Sequence, residues 1–293
     1  MRKRNLFLIC FIFGLVLVPI ILALWTAKAE REAHYVPEYE QVDLTFVLQK
    51  DSLEDSDYAM LLWQTGLSKS GVDDLYENGR QGQLLYLQQR FFTPIEYECR
   101  RSVFFCRSER IIGQEKEREE NIGRSGIQME RREFCPAVQD GDILITFSGH
   151  LFGWRSGHAA IVTNAAMGQT LEAVTVGENS QISPLEHWRE YPCFALLRLK
   201  NATEVERREI ASYAARNLVD IPYKLTGFCG KVGEAQEQGD SSPVEGTQCA
   251  HLVWLAYRHF GYDLDSDGGY IVTPYDIYSS EFLELVQIYG IPP

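Results

Sequence analysis

"EGTQCAHLVWLAYRHFG", residues 245–261, decides how the rest of the chain is read. Leu252, Val253, Ala256 and Phe260 recur at helical spacing, so an apolar helix begins near Cys249, just after Gly246 and Thr247. A cysteine in the first turn of a helix faces unpaired N–H groups and the positive end of the helix dipole, which favour thiolate over thiol. The same amides suit the oxyanion of an acyl-transfer intermediate. The plainer reading of one cysteine among apolar neighbours is a packed core thiol. The choice turns on whether the chain also supplies an imidazole to move the proton and an acceptor to orient that imidazole.

His158 in "SGHAAIV" opens an apolar strand and follows a glycine that allows close backbone approach. Fourteen residues on, Glu172 in "TLEAV" occupies the next strand, and a hairpin register sets it beside His158, where it would accept the Nδ1–H. His251 and His259 follow the cysteine on its own helix and point away from the thiol, so they read as structural or surface residues. His150 and His187 stand in polar, loop-like contexts and rank lower.

Around these residues the chain divides into three stretches. In residues 1–29, Arg2, Lys3 and Arg4 precede an unbroken apolar run from Leu6 to Trp25, which reads as a membrane-targeting segment. It is long enough to span a bilayer, longer than the roughly 7 to 15 residues of a signal-peptide core, and is followed by a small-x-small site ending at Ala29. An uncleaved anchor is preferred to a cleaved peptide; either places the remainder outside the cytoplasm, the basic residues staying inside.

Residues 30–135 read as a linker and helical extension, with helices over "DSDYAMLLWQTGL" and within "VDDLYENGRQGQLLYLQQRFF", capping-type Asp55 and Ser56 opening the first. Residues 107–133 are charge-dense and Gly-interrupted, a solvated helix or loop. From Pro136 the texture becomes short apolar strands ("GDILITF", "HAAIVTNA", "QTLEAVTV", "CFALLRL"), a helix capped by Thr203, a Gly-rich loop, the Cys249 helix, a short helix at "TPYDIYSS" and a closing strand "FLELVQIYG". Antiparallel strands followed by helices predict an α+β domain over 136–293.

The chain has 293 residues, 45% hydrophobic and 24% charged, an ordinary globular composition. Without residues 1–29 it keeps 24 basic against 41 acidic residues, a formal charge of −17. That argues against nucleic acid as a partner. Of seven cysteines, Cys10 lies in the apolar run. The other six, Cys99, Cys106, Cys135, Cys193, Cys229 and Cys249, form no tight framework and no C-x-x-C pair, and Cys99 and Cys106 are placed to pair across a hairpin. Asp263, Asp265, Asp267 and Gly268 copy half of a calcium loop, but Pro274 stands where the closing Glu belongs, so a structural turn is preferred. No cofactor and no metal is assigned.

"PAVQDGDILIT", "SGHAAIV", "LEAVT", "IPYKLTGF" and "TQCAHLVWLAYRHFGYDLDSDGGYIVTPYDI", in that order, resemble the permuted papain-like cysteine hydrolases of the NlpC-type superfamily, in particular the YiiX/YebB-like branch. The mark of that group is the His strand preceding the Cys helix. The resemblance implies a circularly permuted papain-like domain, an antiparallel sheet packed on helices, over 136–293. It implies Cys249 as nucleophile, His158 as base and then acid, Glu172 as the residue orienting His158, and Tyr223 as an aromatic substrate-binding residue. Two departures stand out: the loop between Tyr223 and Cys249 is long and acidic, and Ala250 replaces a serine common after the cysteine.

The function expected is that of an exported or membrane-anchored cysteine peptidase or amidase. Peptidoglycan stem peptides are the leading substrate and the cytoplasmic membrane a partner through the N-terminal segment. The alternatives are a lipid or acyl-amide hydrolase or acyltransferase of the same fold, favoured by a longer apolar groove, and a catalytically inert wall-binding or partner-docking module. A zinc site on His158 and Cys249 is weaker, because no third ligand has suitable spacing.

Overall fold

Alternation along the strands explains why helices cover both faces of the main sheet. The computed structural model describes residues 2–31, 33–101, 105–111, 134–151, 153–224 and 244–293, without the side chains of 2–12, 15, 16 and 31. In chain order the elements are α1 (Arg2–Arg31), α2 (Thr45–Leu48), α3 (Asp55–Thr65), α4 (Lys69–Glu77), α5 (Gln83–Phe92), β1 (Tyr97–Arg101), β2 (Phe105–Arg110), β3 (Ile143–Thr146), β4 (His150–Leu151) and β5 (Trp154–Arg155). Then come β6 (His158–Asn164), β7 (Gln169–Glu172), β8 (Gln181–Pro184), a 3-10 helix (Leu185–Glu190), β9 (Phe194–Leu199), α6 (Glu204–Asn217), α7 (Cys249–Arg258), α8 (Pro274–Tyr278) and β10 (Leu283–Tyr289).

Six strands pair in the order β10-β9-β3-β6-β7-β8, all antiparallel. On one face Ile143, Ile145, Ala159, Ile161, Ala195 and Leu197 pack with Ile210 and Ala214 of α6 and with Leu252, Val253 and Ala256 of α7. Their sequence neighbours Leu144, Ala160, Val162 and Leu196 point the other way and meet Leu61, Val72, Leu75, Leu84 and Leu87 of α3, α4 and α5. The chain is therefore α+β, with antiparallel sheets packed against helices.

The extension over 30–135 differs from the expected all-helical appendage in two ways. It is joined to the sheet by a buried charge cluster: Arg198 of β9 donates to both carboxylate oxygens of Asp142, 2.8 and 2.7 Å, and to Asp74 of α4 at 2.5 Å. It also contains the β1–β2 hairpin, which the high charge of "YECRR" and "FCRSER" conceals from pattern reading. β1, β2, β4 and β5 form a second, four-stranded sheet. The cap of α3 is Glu54, which shares a capping box with Asp57, rather than Asp55 or Ser56.

α1 ends against the second sheet. The Glu30 side chain is buried there, accepting from Ser108 N–H (2.8 Å), Gly149 N–H (2.7 Å), Ser148 Oγ (3.2 Å) and His150 Nδ1 (2.6 Å). Burial opposes the carboxylate charge, but these donors hold Glu30 below the usual range. Among the described residues no helix is long and apolar enough to cross a membrane. Much of the Leu6–Trp25 run has side chains outside that set, as does Cys10. Cys229 and most of the loops 107–133 and 224–248 also lie outside the described residues.

Candidate active site

The cysteine helix starts where the sequence placed it. Gln248 is the N-cap of α7, its Oε1 accepting the Ala250 N–H at 2.8 Å and facing Cys249 Sγ at 3.4 Å, while its Nε2 donates to Val272 O at 2.7 Å. The Ala250 amide is thus engaged by the cap, which leaves the Cys249 N–H as the oxyanion donor to consider at this helix end. The Gln248 carboxamide, which also lines the cleft, is held by the Ala250 N–H at its oxygen and by the Val272 carbonyl at its nitrogen. Lys224 N–H to Thr247 O and Thr247 N–H to Pro222 O, each 3.0 Å, bring Tyr223 alongside the helix start. Cys249 is 8% exposed.

His158 begins β6 opposite Thr146. Gly157 before it has φ +60°, and a Cβ there would meet the Thr146 carbonyl oxygen at 2.5 Å, so only glycine delivers the chain to this point. Glu172 ends β7, the hairpin partner of β6. Its Oε2 lies 2.7 Å from His158 Nε2. The ring is reversed relative to the expectation: Nε2, not Nδ1, meets the carboxylate, and Nδ1 is the nitrogen left for Cys249. Trp188 stacks on the imidazole with centroids 5.6 Å apart and planes at 17°, which fixes the plane of the ring. No local pattern around His158 encodes that contact.

Glu172 is fully buried and more heavily supported than expected. Oε1 accepts from Thr170 Oγ1 (2.5 Å) and Trp188 Nε1 (3.1 Å), and Oε2 also receives His187 Nε2 at 3.2 Å. Burial alone would raise its pKa, but the hydrogen bonds from His158 and His187 hold it well below the ordinary carboxylate range. Burial works against a charged His158, yet the nearby Tyr191 oxygen, the Cys249 sulfur and Glu172 together keep its pKa well above the usual value. A protonated imidazole beside a buried carboxylate and a thiol is the electrostatic arrangement that a thiolate nucleophile requires.

Cys249, His158 and Tyr223 line one cleft of about 430 Å³; Glu172 stands behind His158. Its other walls are mainly apolar, with Phe105 and Leu151 from the second sheet, Trp154 beside them, and Val174, Val176 and Val272 opposite. One cation, Arg107, enters the lining; it donates to Tyr191 Oη at 3.3 Å and pairs with Glu109. Burial, with Cys249 beside it, raises the Tyr223 phenol above its ordinary value.

Trp188, Thr170, Tyr191 and Arg107 are residues that sequence reasoning passed over, and His187 is one that it ranked low. His187 and Trp188 lie on a 3-10 helix too short to show a period, and Arg107 on the concealed hairpin. His251 is buried, its Nδ1 3.1 Å from Thr247 Oγ1, and burial lowers its pKa to about 4. His259 stacks on Tyr213. His150 belongs to the Glu30 cluster.

Asp263 accepts from Trp254 Nε1 and Asp265 N–H, while Asp265 and Asp267 cap their own turn. Side-chain oxygens of Asp265, Asp267 and Asp276 come within 4.8 Å of one another. Asp276 is committed to the capping box of α8. The first half of the calcium-like motif thus serves as the turn that follows α7.

No family model and no curated protein matches the chain. Among solved structures it is similar to the metalloprotein YiiX from Escherichia coli O157:H7, at 16% identity over 50% of this chain and 96% of that one, with a TM-score of 0.37. A likeness of that strength leaves the chemistry to be argued from the site itself.

Proposed function

We propose that the chain is a thiol hydrolase with a permuted papain-like arrangement, in which Cys249, His158 and Glu172 act by an acyl-enzyme mechanism. The observation that carries this reading is the Glu172–His158 pair, 2.7 Å apart and shut away from solvent, with His158 and Cys249 on the wall of one cleft. The Cys249 thiolate attacks an amide or ester carbonyl, forming a C–S bond, and the oxyanion is held by the Cys249 N–H at the start of α7. His158 gives its proton to the leaving group as the C–N or C–O bond breaks. It then takes a proton from the water that releases the acyl group. Tyr223 positions substrate beside the nucleophile.

An N-terminal membrane anchor would hold this activity outside the cytoplasm, where peptidoglycan stem-peptide amides are the first substrate class to assay. Support for an uncleaved segment comes from Glu30: cleavage after Ala29 would create a charged α-amino group on a residue buried in the second sheet. One observation favours a second class, acyl amides or acyl esters of amphiphiles. The cleft walls are apolar, and Leu22 of α1 lies against the Gly153 turn that carries Leu151 and Trp154 into the lining. An acyl chain fits such walls better than a polar stem peptide does.

The test is the rate of Cys249 alkylation by iodoacetamide as a function of pH in the full chain. Alkylation that persists below about pH 7 and is lost in His158→Ala supports the thiolate–imidazolium pair. A thiol indifferent to His158→Ala and Glu172→Gln leaves an inert docking module.

A further inference from the structure

We propose that Cys99 and Cys106 form a disulfide that fastens the outer wall of the Cys249 cleft. The two stand diagonally across the β1–β2 hairpin, Cys99 opposite Ser108 and Cys106 opposite Arg101. Their sulfurs face each other 2.6 Å apart. Both side chains fall on one face of the hairpin, as same-face diagonal neighbours do.

The position matters because of what the other face carries. Ser108, which shares the sulfur face by alternation, bonds the Glu30 carbonyl through its Oγ at 2.7 Å, so that face looks toward the end of α1. Phe105 and Arg107 alternate with Cys106 and line the cleft. Among the described residues β2 is held to β4 by two residue pairs, Phe105 with Leu151 and Cys106 with His150. On its other side it has β1, the edge strand of this sheet among the described residues. A covalent link between β1 and β2 therefore stiffens the strand that presents Phe105 and Arg107 to substrate.

The bond forms by exchange with an exogenous disulfide. Cys99 is the more accessible sulfur, and Cys106 is buried. Burial, together with Cys99, pushes the Cys106 thiol up to about 12, so Cys99 is the first attacker. The Cys99 thiolate, its proton lost to solvent, attacks the exogenous disulfide and expels one thiolate. Cys106 then gives up its proton, attacks the mixed disulfide and expels the second. Two electrons pass from the pair to the exogenous disulfide, which leaves as two thiols.

The consequence for the cleft rests on the thiol-hydrolase reading; the bond itself does not. The full chain in detergent is incubated with oxidised glutathione, quenched with N-ethylmaleimide and digested with trypsin. Cleavage after Arg100 and Arg101 separates peptide 91–100 from peptide 102–107. The expected result is a joined mass that disappears on reduction. Recovery of both peptides as separate maleimide adducts overturns the bond. In parallel, Cys249 is labelled with iodoacetamide and with a long-chain alkyl chloromethyl ketone, in the oxidised chain, the reduced chain and the Cys99→Ser/Cys106→Ser variant. Long-chain labelling is expected to slow about threefold or more without the bond, with iodoacetamide labelling unchanged. Equal long-chain rates in all three forms overturn the cleft-wall role. A Cys249 inert to both reagents in every form overturns the hydrolase reading instead, and the peptide mass still decides the bond.

Discussion

His158 Nε2 and Glu172 Oε2 lie 2.7 Å apart, both buried, one at the first residue of β6 and the other at the last of β7. The ring is therefore oriented through Nε2, which under the proposed mechanism leaves Nδ1 to exchange a proton with Cys249. Replacing Glu172 with Gln keeps the shape and removes the charge. The His158 titration, followed by NMR, is expected to fall toward its ordinary value, and kcat/KM to drop about 10²-fold or more. An unchanged His158 titration would remove Glu172 from the mechanism.

Stability depends on pH through the same pair, with opposite signs. The folded-state pKa of Glu172 is depressed, so its contribution is present above the unfolded carboxylate value and is lost as pH falls toward the folded one. The folded-state pKa of His158 is raised, so its contribution is present below the unfolded imidazole value and is lost as pH rises through the folded one. Urea denaturation is expected to show wild type losing stability below about pH 4, and Glu172→Gln losing less over that range. Parallel curves would contradict the assignment.

Gly157 is expected to tolerate no side chain. Gly157→Ala combines a left-handed backbone with a clash against the Thr146 carbonyl and displaces His158. A loss of about 1–3 kcal/mol in urea is expected, with kcat reduced by about 10²-fold even where the protein remains folded.

Trp154 tests the apolar cleft. Trp154→Ala removes a large wall residue that is itself half exposed. KM for a long-chain acyl substrate is expected to rise about tenfold, with little change for a short-chain one. Equal effects on both would show that the wall does not meet the chain.

Asp142→Ala leaves the Arg198 guanidinium buried without its bidentate partner. A cost of about 3–5 kcal/mol is expected. Arg198→Met, which removes the charge along with the bonds, is expected to cost less, and the comparison by urea midpoint checks it.

How much of this was legible in sequence depends on where each residue sits. Cys249, His158 and Glu172 each mark the end of an element whose apolar period is clear, so their positions followed from pattern, and the resemblance supplied their roles. The reversed imidazole did not follow, because no sequence pattern states which ring nitrogen faces Glu172, and Trp188, which stacks on the ring, lies on a 3-10 helix without a readable period. The β1–β2 hairpin was hidden because Ser108, Glu109 and Arg110 are polar yet buried, against the usual alternation. Only the spacing of Cys99 and Cys106 hinted at it. His187 was set aside as a loop residue, yet it shares the Glu172 carboxylate with His158.

The Arg198 cluster has a consequence for how the chain can be divided. The change of texture at Pro136 looks like a seam where a catalytic module could be lifted out. A protein cut there would lose Asp74 from Arg198 and strip α3, α4 and α5 from Leu144, Ala160, Val162 and Leu196, half of the sheet's covering. The seam is one of sequence pattern, and the packing runs across it. A chain shortened at Pro136 is therefore expected to expose that apolar face rather than to fold as a smaller protein.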